Sequence, residues 1–426
     1  YRRFKVNIDG NDDYAAMEAA GIDHSGKWLL VLGDEPRAND GTAVLSEDGA
    51  DTRWSTNSFE RLRSALGARK PFAGMLVVTG DSDTDGPFEQ RAMNAADRSS
   101  AAIGSLSLNP PNATSQRPGM FFVSETFANG LLMGTGMTVD QLRSQIRSTS
   151  APVVMDVEGV TLTSTVEREV FEADTENVVA MLEGSDPVLK DEVLVISSHY
   201  DHIGISTTAT GDDVINNGAD DDGSGTVSVL EIAEAFAQAA MDGVGPRRSI
   251  LFLNVAGEEK GLLGSAYYAD VEPVVPVAQT IANLNIDMVG RRDPTYEGDQ
   301  PDNYVYIIGS ELISPEIDAL SEMANATTGI NMDLSKRFNS PDDPNQFYRR
   351  SDHWNFGKSD IPFIFYFNGT HEDYHGLGDE PDKIDYEQMQ QRARLIFATA
   401  WQLVNQDGRP EAIEDWFAKA QAAGGN

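Results

Sequence analysis

No cysteine occurs among the 426 residues. The chain therefore has no disulfide and no thiolate ligand, and any metal must be held by His, Asp or Glu. Histidine is scarce too, with six copies. Basic residues are outnumbered, 32 Lys and Arg against 68 Asp and Glu, which leaves a net charge of −36. Phosphate binding needs a basic footprint, so nucleic acid and anionic membranes are set aside as partners. The acidic excess is read as a solvated surface. No apolar run approaches the roughly 18 residues of a membrane helix, so no membrane span is expected. A signal-like start is missing as well. The chain begins at Tyr1 rather than Met, and a processed or trimmed product is expected.

What is present is length enough for two domains. Residues 1–150 read as a separate unit. KWLLVLG (27–33), GMLVVTG (74–80) and MFFVS (120–124) have the pattern of buried strands, and 57–70, 125–133 and 138–148 that of helices. Residues 151–182 predict two or three strands. From there strand and helix alternate to the end of the second unit, 151–426, which predicts an α/β sheet with helices on both faces. The predicted strands are 193–199, 249–256, 280–286, 304–309 and 361–367; the helices are 223–240, 313–329 and 386–404. In the first of these helices the apolar stripe is read as Val227, Leu230, Ala233 (or Glu234) and Ala237.

Four of the strands run into His, Asp or Glu. They end at His199, at Glu258 and Glu259, at Asp287, and near His375. Sites in open α/β sheets form outside the carboxyl ends of strands, so these residues should converge. Asp220, Asp221 and Asp222 join them ahead of a helix, whose N-terminus favours carboxylates. Asp287 sits in an apolar run, where a carboxylate is costly unless paired or bound to a cation. Asp201 completes a His-x-Asp with His199, the pattern in which a carboxylate orients a ligating imidazole. Asp221, Glu259 and Asp287 with two divalent ions, two neutral imidazoles and one hydroxide sum to zero charge. Neighbouring residues of an extended chain point apart, so Glu258 and Glu259 divide into one ligand and one general base.

These residues lie in NVVAMLEGSDP, SSHYDHIG, NNGADDDGSGT, NVAGEEKGLLGS, NLNIDMVGR, SDHWNFGKSDIPFIFYF and DYHGLGDEPDKID. Together the segments, roughly 176–390, resemble the M28 family of zinc metallopeptidases. DHSGKWLLVLGDEP and GMLVVTG resemble, more weakly, the protease-associated (PA) domain inserted in such enzymes. The resemblance implies a zinc-exopeptidase-like fold, a mixed, mainly parallel central sheet with helices on both faces, beside a smaller α+β PA-like domain. It implies two zinc ions per chain: one on His199 and Asp287, one on Glu259 and His375, with Asp221 between them. Asp201 would support His199, and Glu258 would be the general base. His202, His371 and His353 are not ligands in the family pattern and are read as structural or supporting; His24, alone in the sequence, is read as a core or surface residue. The related M20 family places a long insertion before the last ligand, and the interval from Asp287 to His375 is too short for it. HGLGDE follows the last ligand where HTPEDT-like variants are common in the family, so loop contacts to substrate are expected to differ.

The implied reaction is hydrolysis of a peptide bond near the N-terminus of a peptide substrate. Carboxypeptidase or dipeptidase action would use the same site, and a glutaminyl-cyclase-like transferase shares the fold. A silent binding relative would have lost ligands, whereas this chain keeps five and the base. The resemblance also implies an exported protein, extracellular or periplasmic.

Overall fold

Apolar runs with almost no polar interruption are what a parallel sheet covered on both faces demands. In the computed structural model those runs lie side by side. It describes residues 13–33, 37–38, 40–43, 72–78, 88, 108, 119–149, 151–165, 173–206, 209–340, 343 and 345–417. The helical pattern at 57–70 and the tail after 417 lie outside the described residues. Contacts divide the chain into two units near residue 171.

In the first unit, helix α1 (Asp13–Ala19) precedes β1 (Trp28–Leu32), β2 (Gly74–Val78) and β3 (Gly119–Val123). The three strands form a parallel sheet in that order. Helices α2 (Glu125–Leu132) and α3 (Val139–Thr149) follow. Ser124 caps α2 by accepting the Phe127 N–H at 3.2 Å, one of the orphan donors of a helix start. Leu76, Val78, Ala128 and Leu132 are buried together, and Met155, Val157 and Leu162 pack against them. Residues 151–165, read from sequence as the start of the second unit and as strand, thus serve this core as irregular chain. Their apolar positions are spaced like a strand, but no neighbouring strand pairs with them among the described residues.

The second unit begins with β4 (Val178–Leu182) and β5 (Val193–His199). A small hairpin of β6 (Gly204–Ile205) and β7 (Ile215–Asn216) leads to α4 (Gly225–Met241). Then come β8 (Ser249–Val255), α5 (Leu263–Asp270), β9 (Thr280–Ile286) and β10 (Tyr304–Ile308). The chain closes with α6 (Ser310–Ile313), α7 (Pro315–Thr328), β11 (Asp333–Ser335), α8 (His353–Gly357), β12 (Phe363–Phe367) and α9 (Tyr386–Asn405). Seven strands pair in the order β11-β10-β12-β9-β5-β8-β4. The central four, β12, β9, β5 and β8, are parallel, while β4 and β10 run against their neighbours β8 and β12.

Alternate residues of these strands face opposite layers. Leu194, Ile196, Ile250, Leu284 and Ile364 pack with Val229, Ile232 and Phe236 of α4 and with Leu395, Ile396 and Leu403 of α9. Val193, Val195, Leu251 and Leu253 face the other way, towards Tyr268 of α5 and Phe356 of α8. The stripe of α4 is therefore Val229, Ile232 and Phe236. Val227 and Leu230, which the sequence reading put on it, are exposed. Both stripes have helical spacing, and the one with isoleucine and phenylalanine removes more apolar surface from water.

The chain passes from β5 to β8 on one side and then returns to β9 on the other. This reversal of strand order opens a crevice at the carboxyl ends of β5, β8 and β9, where an α/β sheet holds its ligands. No described helix is long and apolar enough to cross a membrane.

Candidate metal centre

His199 is the last residue of β5 and is buried. Its Nδ1 lies 2.9 Å from the backbone carbonyl of Asp201, a bond that leaves Nε2 free to point into the crevice. The Asp201 carboxylate stands farther off, 3.7 Å from the same nitrogen. It accepts instead the amides of Glu258 at 3.0 Å and Glu259 at 3.3 Å. The sequence reading made this carboxylate the support of His199. In the fold the carbonyl makes the closer contact with the imidazole, while the carboxylate supports it from 3.7 Å and also fixes the turn after β8. The chain turns there at Gly257, whose φ of +70° is disfavoured for any other residue.

The three consecutive aspartates are all buried and divide their work. Asp220 accepts the Gly290 N–H at 2.6 Å and the Ser224 hydroxyl at 2.9 Å, and faces His371 at 3.2 Å. Asp222 accepts three amides, those of His199, Gly225 and Met288, at 3.1, 2.9 and 3.1 Å. That leaves the side chain of Asp221 for the crevice. Its Oδ1 is 3.3 Å from His199 Nε2, and its Oδ2 is 3.1 Å from His375 Nε2. Asp287, one residue past β9, brings Oδ2 to 3.7 Å from His199 Nε2. Glu259 Oε1 is 3.3 Å from His375 Nε2. Glu258 lies on the side of His199 and Asp287, with donor atoms of all three within 4.8 Å of one another. The seven residues singled out from sequence, Asp201 among them, are thus gathered at one place. Glu258 and Glu259 face opposite lobes of it, although the chain there is a turn rather than the extended segment expected from sequence. His375 and Met288, the neighbour of Asp287, hold left-handed φ values of 55° and 59°. Such strain in non-glycine residues concentrates at functional sites.

His202, read from sequence as structural or supporting, lies closer to the centre than that reading requires. It is half-buried beside the centre, with Nδ1 3.0 Å from Glu259 Oε1 and 3.8 Å from Asp221 Oδ2. Its ring packs against Gly218, where a side-chain carbon would collide with it. His353 is a structural residue: it is buried against Phe363 and Phe365, and its Nε2 is 2.9 Å from the Tyr348 carbonyl. His24 is buried beside Tyr14. Three contributors escaped the sequence reading. Ser351 donates to Asp287 Oδ2 at 2.6 Å, Tyr374 stacks on His375 at 3.9 Å, and Asp352 is buried with its carboxylate on Ser265. All three stand in segments that carry the family resemblance, but neither spacing nor residue type assigns them a role there, and the fold does.

Burial alone would push the His199 imidazole down, yet Asp201, Asp221 and Asp287 hold it well above its ordinary value. Asp221 and Glu259 raise His375 to about 9. Burial holds the Glu258 carboxyl well above the usual range, with Asp352, Asp287 and Glu259 adding to the effect. Burial likewise raises Asp352 to about 7. Without cations, then, the raised imidazoles of His199 and His375 supply the positive charge beside Asp221 and Glu259, whose carboxyls are held below their usual range. His199 Nε2 and Glu259 Oε1 are buried with no hydrogen-bond partner. An orphaned imidazole nitrogen in one lobe and an orphaned carboxylate oxygen in the other, each among further His, Asp and Glu donors, are a donor set that zinc fits, since zinc accepts N and O ligands without demanding sulfur.

This predicts a pH dependence. A group whose folded value exceeds its unfolded one stabilises the fold below the unfolded value and loses that contribution as pH rises through the folded one. For His375 the window runs from 6.5 to about 9. His199 acts in the same direction, and so does Asp352 up to about 7. The metal-free protein should therefore melt at a lower temperature at pH 9 than at pH 6.5. Zinc should flatten the profile, because the ligands it binds have already lost their protons. A metal-free melting temperature that rises across this window would contradict the assignment.

The sequence model of peptidase family M28 matches residues 177–400. A probable zinc metalloprotease of Leptosphaeria maculans is 29% identical over 280 residues, 57% of this chain and 60% of the relative. Aminopeptidase YwaD of Bacillus subtilis is 23% identical over 270 residues, 61% of this chain and 51% of the relative. The chain spans about half to three-fifths of the length of these curated relatives. Among solved structures, a zinc aminopeptidase from Bacillus subtilis aligns over 91% of this chain and 77% of its own, with a TM-score of 0.46 and 17% identity.

Proposed function

The chain belongs to peptidase family M28, and from that premise we propose that it is a zinc-dependent exopeptidase with two metal ions, releasing N-terminal residues from peptides. The observation that carries this reading is the side chain of Asp221, which offers one oxygen to His199 and the other to His375. His199 and Asp287 would hold one ion, Glu259 and His375 the other, and Asp221 both. Bound there, zinc would polarise the scissile carbonyl and acidify the attacking water.

The remaining work falls to the chain's own residues. Glu258 receives the proton from the attacking water and returns it to the departing amine. The Glu258 and Glu259 amides on Asp201 hold the base in place. A positively charged terminal ammonium suits a centre lined by carboxylates. Relatives named aminopeptidase support the same choice.

One observation favours the alternative of carboxylate recognition, by a carboxypeptidase or dipeptidase. Arg350 is exposed and donates to the Tyr374 hydroxyl at 3.2 Å, and Tyr374 lies on His375. A panel of free-amine and N-blocked peptides, with and without a chelator, separates the two. The proposal expects chelator-sensitive cleavage of free-amine substrates only. Cleavage of blocked peptides with a free carboxylate, and not of free-amine amides, would overturn the aminopeptidase assignment.

A further inference from the structure

Asp379 lies on the loop that carries His375 and is fully buried. Its side chain touches no candidate ligand atom. Its Oδ1 accepts the Asp220 N–H at 3.0 Å, and its Oδ2 accepts the N–H groups of Asp220 and Asp221, each at 3.1 Å. The backbone carbonyl of the same residue accepts the Ala219 N–H at 3.1 Å. Consecutive amides converging on one point form an anion-binding concavity, and here an internal carboxylate fills it. One residue later, Glu380 accepts the Asn217 side-chain amide at 2.7 Å. Two loops far apart in sequence are thus stitched together at four residues, 217 and 219–221.

The stitch reaches both sides of the centre. On one side, the Asp379 amide donates to the Gly376 carbonyl at 3.3 Å, so the turn from His375 to Asp379 is closed on itself. On the other, Asp220 accepts the Gly290 N–H from the loop that follows Asp287. A displaced 219–221 backbone would carry Asp221 away from His375 and loosen the tie to the loop of Asp287. Burying a carboxylate is costly unless it is fully hydrogen-bonded, and this one is spent on backbone amides rather than on a cation.

We infer that Asp379 is a positioning residue for the metal centre: its carboxylate grips the amides of Asp220 and Asp221 and so sets Asp221 in register with His375. The inference rests on the two-metal reading of the site. The residue acts through Asp221 and takes no part in bond making.

The test compares Asp379→Asn with the wild type in the full chain. An asparagine oxygen can still accept, but its NH2 would meet the Asp220 N–H donor head on. Zinc retention against a graded chelator should weaken by about 10–100-fold, the range found when partners of metal ligands are removed. Turnover should fall at limiting zinc and recover in excess zinc. A residue that merely stabilises the fold would lower the melting temperature without rescue by zinc. In the metal-free wild type, hydrogen exchange of the 219–221 amides should be as slow as in β5; this measurement needs no variant, and fast exchange would overturn the inference. A wild type that takes up no zinc would overturn the metal-centre reading and this inference with it. A zinc-binding wild type beside an Asp379→Asn variant that holds zinc equally tightly would overturn this inference alone.

Discussion

Replacing Glu258 by glutamine should lower kcat by about 100- to 10,000-fold, the contribution expected of a single general base, and leave the zinc content unchanged. The size of the effect follows from the division of labour between adjacent glutamates. Glu259 faces His375 and His202, whereas Glu258 lies by His199 and Asp287. Its carboxyl is partly exposed to the crevice yet enclosed by protein on most sides, and burial keeps its proton affinity well above that of a free glutamate. A carboxyl of raised basicity at the edge of the centre is suited to receiving a proton. Glutamine keeps the shape and the neighbouring amide contacts to Asp201 but cannot take up that proton. KM should change little, since binding of the ground state does not depend on the transfer. A variant that keeps wild-type turnover with its zinc in place would remove Glu258 from this role. Loss of zinc in the variant would make Glu258 a ligand rather than a base.

Asp221→Ala should be more damaging, because it abolishes retention of metal as well as turnover. Asp221 is the point where the two lobes of the site meet, within 3.3 Å of one imidazole and 3.1 Å of the other. No other side chain can replace it. Asp220 is occupied by Gly290 and Ser224, and Asp222 by three amides. The loss in zinc affinity should exceed the roughly 100-fold upper range for residues that only support a ligand. Added zinc should therefore not restore activity, in contrast to Asp379→Asn. Chelator competition followed by an assay in excess zinc checks both statements. Full recovery of turnover by added zinc would contradict a bridging role.

The strands of the second unit were legible because each is an apolar run stopped by a polar residue with a chemical use. His199, Glu258 and Asp287 therefore announce both a strand end and a site, and the sheet reversal at β5 joins them. Asp221 could be separated from its two neighbours only by resemblance; burial and amide partners now give the reason. Other features needed three dimensions. Val227 and Leu230 lie as regularly on a helical wheel as Val229, Ile232 and Phe236, and only the position of the sheet decides between the stripes. Residues 151–165 carry strand-like spacing without a partner strand. The carbonyl of Asp201 makes the closer contact with His199 and shares the support of the imidazole with its carboxylate, a distinction invisible in a residue name. Ser351, Tyr374 and Asp379 reach the centre through loops whose paths no local pattern encodes. His202 was set aside as a ligand, yet the turn at Gly218 leaves room for its ring beside Glu259.

The proposed mechanism requires two ions sharing Asp221. Anomalous diffraction at the zinc absorption edge, on crystals of the zinc-loaded protein, addresses that directly. Two peaks about 3.5–4 Å apart should appear, one between His199 and Asp287 and one between Glu259 and His375, with Asp221 reaching both. A single peak, or a pair that leaves Asp221 uncoordinated, would contradict the account.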